Sequence, residues 1–68
     1  MSALVFNITR APKRAGGRPS SEWIPGSVER DDADAEARAL LADPRDTITG
    51  VYLWSNRHNQ FVDKWRKA

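Results

Sequence analysis

The sequence predicts a small α+β fold, in which a three-stranded antiparallel sheet carries one helix packed on a face (β-loop-α-β-β). Apolar residues alternate at period two in three segments, at residues 3–9, 46–55 and 60–67. Between the first and second of these, apolar residues recur at helical spacing. A chain of 68 residues buries a core large enough for one domain, and we expect a single domain over residues 1–68.

The first strand is predicted in the segment ALVFNIT, residues 3–9. Leu4, Phe6 and Ile8 fall on one face, and the residues between them fall on the other. This alternation, with β-branched and aromatic side chains, is typical of a half-buried strand. Pro12 ends the strand, because proline has no N–H group to donate to a sheet ladder.

A basic loop follows at about residues 10–22, and we expect it to be flexible. It contains Gly16-Gly17 and two prolines, and it carries four cations. A Walker-type phosphate loop is excluded, because the required lysine after the second glycine is absent and Pro19 removes a backbone donor. The segment EWI, residues 22–24, is predicted either as a short strand or as the anchor of the loop.

Part of this loop, PKRAGGRPSS at residues 12–21, resembles the AT-hook, a short DNA-binding motif with the core Arg-Gly-Arg-Pro. Gly17, Arg18 and Pro19 match the core, whereas Gly16 stands where its first arginine belongs. The resemblance implies an arginine inserted into a narrow A·T minor groove. Without that first arginine, two other interpretations stay open: a cationic loop that touches phosphate or an acidic protein surface, and a plain connection.

The helix is predicted after the loop, and its apolar stripe consists of Ala33, Ala37, Leu40 and Leu41. Asp31 or Asp32 is expected to cap the first turn by accepting backbone N–H groups. Pro44 ends the helix, because the residue before a proline is disfavoured in the helical conformation.

Two further strands are predicted at residues 46–55 and 60–67, joined by a hairpin turn in SNRHN. On the first of these strands, Ile48, Tyr52 and Trp54 are expected on one face, and Val51 and Leu53 on the other. On the second strand, one face is expected to carry Phe61, Asp63 and Trp65. The other is expected to carry Val62, Lys64 and Arg66. Gly50 is expected to mark a bulge or a close backbone approach. Phe6, Trp54 and Phe61 are expected in the core, because large rings fill a core that has few aliphatic residues.

The charge pattern is more informative than the net charge of +2. Residues 1–28 carry four basic and one acidic side chain, residues 29–46 three basic and seven acidic, and residues 47–68 four basic and one acidic. Basic ends therefore flank an acidic middle, which we attribute mainly to the helix. This pattern either steers an anionic partner to one face or compensates charge within the molecule.

Composition also argues against several classes of site. The chain has no cysteine, so it can form neither a disulfide nor a thiolate metal site, and we expect no metal and no cofactor. No apolar run is long enough to cross a membrane. We expect a cytoplasmic protein. His58 could be the acid–base residue of a small nuclease, but it lies in the predicted hairpin turn, and the spacing of the sequence does not place a second catalytic group beside it. We therefore expect that the protein is not an enzyme.

The predicted function is a small non-enzymatic protein-binding module that blocks a surface of a larger protein or nucleoprotein complex. In size and element order the chain is similar to small phage-encoded inhibitors of bacterial machinery. The alternative is a nucleic-acid-binding protein that uses the basic loop and the last strand. The residues expected to bind a partner are Arg14, Arg18, Arg57, Lys64, Trp65 and Arg66. An exposed edge strand also leaves a homodimer open.

Overall fold

A computed structural model describes residues 3–67 and has four antiparallel strands and one helix. The elements in chain order are β1 (Leu4–Arg10), β2 (Ser20–Trp23), α1 (Arg30–Ala42), β3 (Ile48–Ser55) and β4 (Gln60–Arg66). The strand order across the sheet is β2-β1-β3-β4. The α+β class and the single helix are confirmed, whereas the prediction of three strands is wrong by one.

The additional strand, β2, pairs antiparallel with β1, from Asn7 opposite Trp23 to Arg10 opposite Ser20. An ion pair between Arg10 and Glu22 links the two strands. All four β2 residues are exposed, so they lack the apolar alternation from which a strand is predicted. The connection between β1 and β2 is therefore residues 11–19, shorter than the predicted loop.

Helix α1 packs on β3 and β4 and closes the core. Its buried residues, Ala33 and Ala37, are small, which lets the helix axis approach the sheet closely. Its N-cap is Glu29, not Asp31 or Asp32, and the Glu29 side chain makes no capping hydrogen bond. The core consists of Phe6, Ile8, Val28, Ala33, Ala37, Ile48, Val51 and Leu53. No helix in residues 3–67 has the length and apolar character needed to cross a membrane.

Two register shifts change the predicted faces of β3 and β4. The first lies where Thr9 is opposite Gly50 but Arg10 is opposite Ile48, which leaves Thr49 as an extra residue. Ile48 therefore joins the core and is 2% exposed. The expectation that Ile48 shares a face with Tyr52 is wrong for this reason.

The second shift lies in β4, where Trp54 is opposite Phe61 and Leu53 is opposite Asp63. Val62 is the extra residue and packs against the core. Because side chains alternate along a strand, the shift moves Phe61 to the opposite face from Asp63 and Trp65. Phe61 thus lies on the face that α1 does not cover.

We call this uncovered side the open face. By register it carries Val5, Asn7, Thr9, Ser21, Trp23, Gly50, Tyr52, Trp54, Phe61, Lys64 and Arg66.

Candidate functional site

Four aromatic side chains meet on the open face, and we call them the aromatic cluster: Trp23, Tyr52, Trp54 and Phe61. The rings of Trp23 and Phe61 are parallel within 2°, with centroids 6.3 Å apart. Trp54 packs edge-on against both, at 6.0 Å from Trp23 and 4.9 Å from Phe61. Tyr52 meets Phe61 edge-on at 5.9 Å. Three strands, β2, β3 and β4, therefore build one continuous aromatic surface.

The aromatic cluster is open to solvent, since Trp23 is 53% exposed and Phe61 is 50% exposed. The prediction that Phe61 lies in the core is wrong, and Trp54 is half-buried on the open face instead. The indole N–H of Trp54 donates to the Asn56 side-chain oxygen at 3.0 Å, which holds the ring in place. A contiguous exposed apolar patch on a small protein typically marks a binding site.

A groove of about 650 Å³ lies beside the aromatic cluster on the same face. Tyr52, Phe61 and Lys64 border it on one side, and its other lining includes Asn7, Thr9, Ser21, Val62 and Asp63. Gly50 shapes this region, because a Cβ there would lie 3.2 Å from the Tyr52 hydroxyl oxygen and 3.3 Å from its ring. The glycine therefore allows Tyr52 to fold back over the sheet, and a bulge, one of the two features expected at Gly50, lies next to it at Thr49.

The charge on the open face is of one sign. Lys64 and Arg66 belong to it, and none of its residues within the described chain is acidic. Asp63 borders the groove at the β4 edge, but its carboxylate oxygen lies 3.7 Å from a guanidinium nitrogen of Arg30 on the helix side. The acidic residues of α1 lie beyond the sheet from the aromatic cluster. An anionic partner would consequently meet an attractive field on this face.

The ion pairs divide the cations into two groups. Four arginines pair with carboxylates of the described chain: Arg10, Arg30, Arg38 and Arg45. The other cations form no ion pair with another residue of the described part: Lys13, Arg14, Arg18, Arg57, Lys64, Arg66 and Lys67. The loop at residues 11–19 thus makes no ion pair with α1, although their charges are opposite.

The predicted partner-binding residues fall at three places. Arg14 and Arg18 lie in the β1–β2 loop, at the end of the sheet where Thr9 pairs with Gly50 and Gly50 with Arg66. Lys64 lies on the open face two residues before Arg66 in β4, opposite Tyr52. Arg57 lies in the turn between β3 and β4, at the opposite end.

Trp65, the sixth predicted residue, lies on the helix side and not with the aromatic cluster. It is half-buried, and its indole N–H donates to an Asp34 carboxylate oxygen at 2.9 Å. Its ring meets Phe6 edge-on at 6.3 Å. The hydrogen bond from Trp65, followed by that from Arg38, holds the pKa of Asp34 below its ordinary value of 3.8. Trp65 therefore ties β4 to α1.

His58 is exposed, as expected for a turn residue. Its backbone N–H donates to the Ser55 hydroxyl oxygen at 3.2 Å, and its Nδ1 lies 3.1 Å from the same oxygen. Ser55 itself is buried, with an exposed fraction of 2%. Both contacts lie within four residues of the chain, so this pair stabilises the turn.

Trp23, Tyr52 and Phe61 are not predicted to form one surface by the sequence alone. Alternation alone assigns Phe61 to the face of Asp63 and Trp65, and only the extra residue at Val62 reverses that assignment. One signal was present: the acidic middle of the chain coincides with the helix, whereas the last strand carries Lys64 and Arg66.

No protein-family model, curated protein or solved structure matches this chain. Within residues 3–67, no group of three or more His, Asp or Glu side chains is arranged to hold a metal ion.

Proposed function

We propose that this protein is a small non-enzymatic binding module that binds single-stranded nucleic acid on the open face of its sheet. The observation that carries the proposal is the exposed aromatic cluster on a face whose described charges are all positive. Exposed rings stack with unpaired bases, while lysine and arginine attract the phosphates. A single strand fits better than a duplex, since the flat faces of duplex bases are not accessible to a sheet.

Within this proposal, Trp23 and Phe61 stack with bases because half of each side chain is exposed. Trp54 supports both rings from the edge. Lys64 and Arg66 contact phosphates along β4. The nucleic-acid alternative from the sequence analysis is thus retained, with the aromatic contribution moved from Trp65 to the opposite face.

The direct test is a titration of the purified chain with fluorescently labelled single-stranded DNA and RNA of about twelve nucleotides, a length within the usual site sizes. We expect binding to both, and we expect W23A and F61A each to weaken it about 5- to 150-fold, the range for loss of one stacked base. W65F is the matched control, because this aromatic residue lies on the helix side. Absence of binding by the parent chain, or equal loss in W65F and W23A, would overturn the proposal.

A protein partner, the first expectation from the sequence, is the second candidate. Trp23 favours it, because exposed tryptophans are frequent hot spots in protein interfaces. Capture of one protein from nuclease-treated host lysate, lost in W23A and kept in W65F, would support this candidate. Failure to capture one while the labelled strands bind would leave nucleic acid as the partner.

A further inference from the structure

The groove beside the aromatic cluster has polar groups that the fold does not use. Asn7, Thr9 and Ser21 line it, and all three side chains project from the open face. Within the described chain, none of these three side chains makes a hydrogen bond to another protein group, whereas nearby Thr49 and Trp54 do. Uncommitted donors and acceptors in a groove are available to a ligand.

The remaining residues that line the groove include types that are common in nucleotide-binding sites. Tyr52 and Phe61 supply aromatic surface at one border, and Lys64 supplies a positive charge next to them. Lys64 is directly opposite Tyr52 in the β3–β4 register. A planar base and its phosphate could thus be held together across this pair.

We infer that this groove is a nucleobase subsite, in which Asn7 and Ser21 read the hydrogen-bonding edge of one base while Tyr52 and Phe61 cover its ring and Lys64 binds its phosphate. The inference rests on the proposed function and deepens it, because stacking alone is tolerant of sequence. The Asn7 side-chain amide both donates and accepts, so it can distinguish bases whose edges present different patterns. Base preference at one position is the expected property of the subsite.

The occupant is a base of a single strand, as the surroundings of the groove indicate. The groove continues into the aromatic cluster through Phe61, which borders both. Asp63, the acidic residue at its rim, reaches towards Arg30 at 3.7 Å. The Arg30 contact offsets the charge of Asp63, and Lys64 on the open face favours a phosphate-linked ligand.

The test compares affinities of the parent chain and its variants for labelled homopolymers of adenine, cytosine, uracil and thymine. We expect the parent to prefer one base, and we expect N7A and S21A each to reduce that preference about fivefold, as loss of one hydrogen bond predicts. S20A is the matched control, because Ser20 is the neighbouring residue on the opposite face of the same strand. S20A should keep the preference.

A second measurement guards against a variant that folds poorly. Titration of the parent chain with adenosine, cytidine and uridine monophosphates should shift the backbone NMR signals of Asn7, Ser21 and Tyr52 more than those of Arg57. Equal affinity of the parent for all homopolymers, or an unchanged preference in N7A and S21A, would overturn the subsite and leave the proposed function intact. Absence of any strand binding would overturn both.

Discussion

At the scale of single residues, two carboxylates tie distant parts of the chain together. Asp34 accepts hydrogen bonds from Trp65 and Arg38, and Asp46 accepts them from the guanidinium of Arg10. These bonds hold the pKa of each carboxyl below its ordinary value of 3.8. In both cases the charged form is the one that stabilises the fold.

The consequence is a defined acid sensitivity. A carboxyl whose pKa is lower in the folded than in the unfolded chain stabilises the fold fully above its unfolded pKa, and loses that effect as pH falls through the folded value. We therefore expect the free energy of unfolding, measured with urea, to fall as pH decreases below about 4. D34N should show a smaller decrease than the parent.

The control for this prediction is D31N, which removes one negative charge from the same helix without removing a Trp65 contact. An acid response in D34N that is as steep as that of the parent would contradict the assigned role of Asp34.

At the scale of the elements, the distance between helix and sheet depends on two alanines. Ala37 is fully buried and Ala33 is 2% exposed, both against the core formed by β1 and β3. Such an interior is close-packed, so it has no room for a longer side chain at this contact.

We expect A37L to destabilise the protein by about 1–3 kcal/mol through overpacking. The melting temperature should fall by roughly 4–8 °C per kcal/mol for a domain of this size. Ala35 is exposed on the same helix, so A35L is the matched control and should leave the melting temperature nearly unchanged. A similar decrease in both variants would show that the helix is not held by this contact.

The elements also show what a sequence can predict. The helix and the strands β1, β3 and β4 follow from apolar periodicity, because each packs one side against the core, whereas the hairpin turn follows from the polar residues of SNRHN. β2 has no buried residue, and its pairing depends on backbone hydrogen bonds to β1. From the sequence alone, EWI fits a short strand and a loop anchor equally, and the structure places Glu22 and Trp23 in β2.

The candidate site was harder to predict for a related reason. Arg14, Arg18, Lys64 and Arg66 were identified from their charge, which needs no register. Trp65 and Phe61 exchanged their expected places, because a single extra residue at Val62 reverses the alternation between them. Bulges depend on the partner strand and leave no periodic signal in one sequence.

At the scale of the whole molecule, the cations without ion pairs are not evenly spread. The β1–β2 loop and the end of β4 lie at the same end of the sheet, whereas Arg57 lies at the other end. The loop itself turns at Arg14–Gly17, where the Gly17 N–H donates to the Arg14 carbonyl at 3.0 Å. Gly16 has a φ of +80° in this turn, which a residue with a side chain rarely adopts.

If the protein binds single strands as proposed, this arrangement predicts how salt should weaken that binding. If the loop contacts phosphates beyond Arg66, R14A and R18A should each reduce the slope of log affinity against log salt by about 0.7, the value for one phosphate contact on a single strand. R57A removes the same charge from the opposite end and should leave the slope unchanged. Anisotropy titrations between about 50 and 200 mM salt measure these slopes.

Equal slopes in all three variants and the parent would show that the loop is only a connection. A decrease in R57A alone would place the path of the strand at the hairpin end instead.

The extra residue at Val62 has a consequence for how this surface can vary. Two residues separate Phe61 from Lys64, a spacing that in a regularly alternating strand places the two side chains on opposite faces. Because Val62 is the extra residue, Phe61 and Lys64 instead share the open face, and deleting Val62 would restore regular alternation with Phe61 still opposite Trp54. The open face thus depends on the pairing of β4 as well as on the chemistry of its residues, so a related chain could keep every aromatic residue and still turn Phe61 towards the helix if β4 paired with β3 without the bulge.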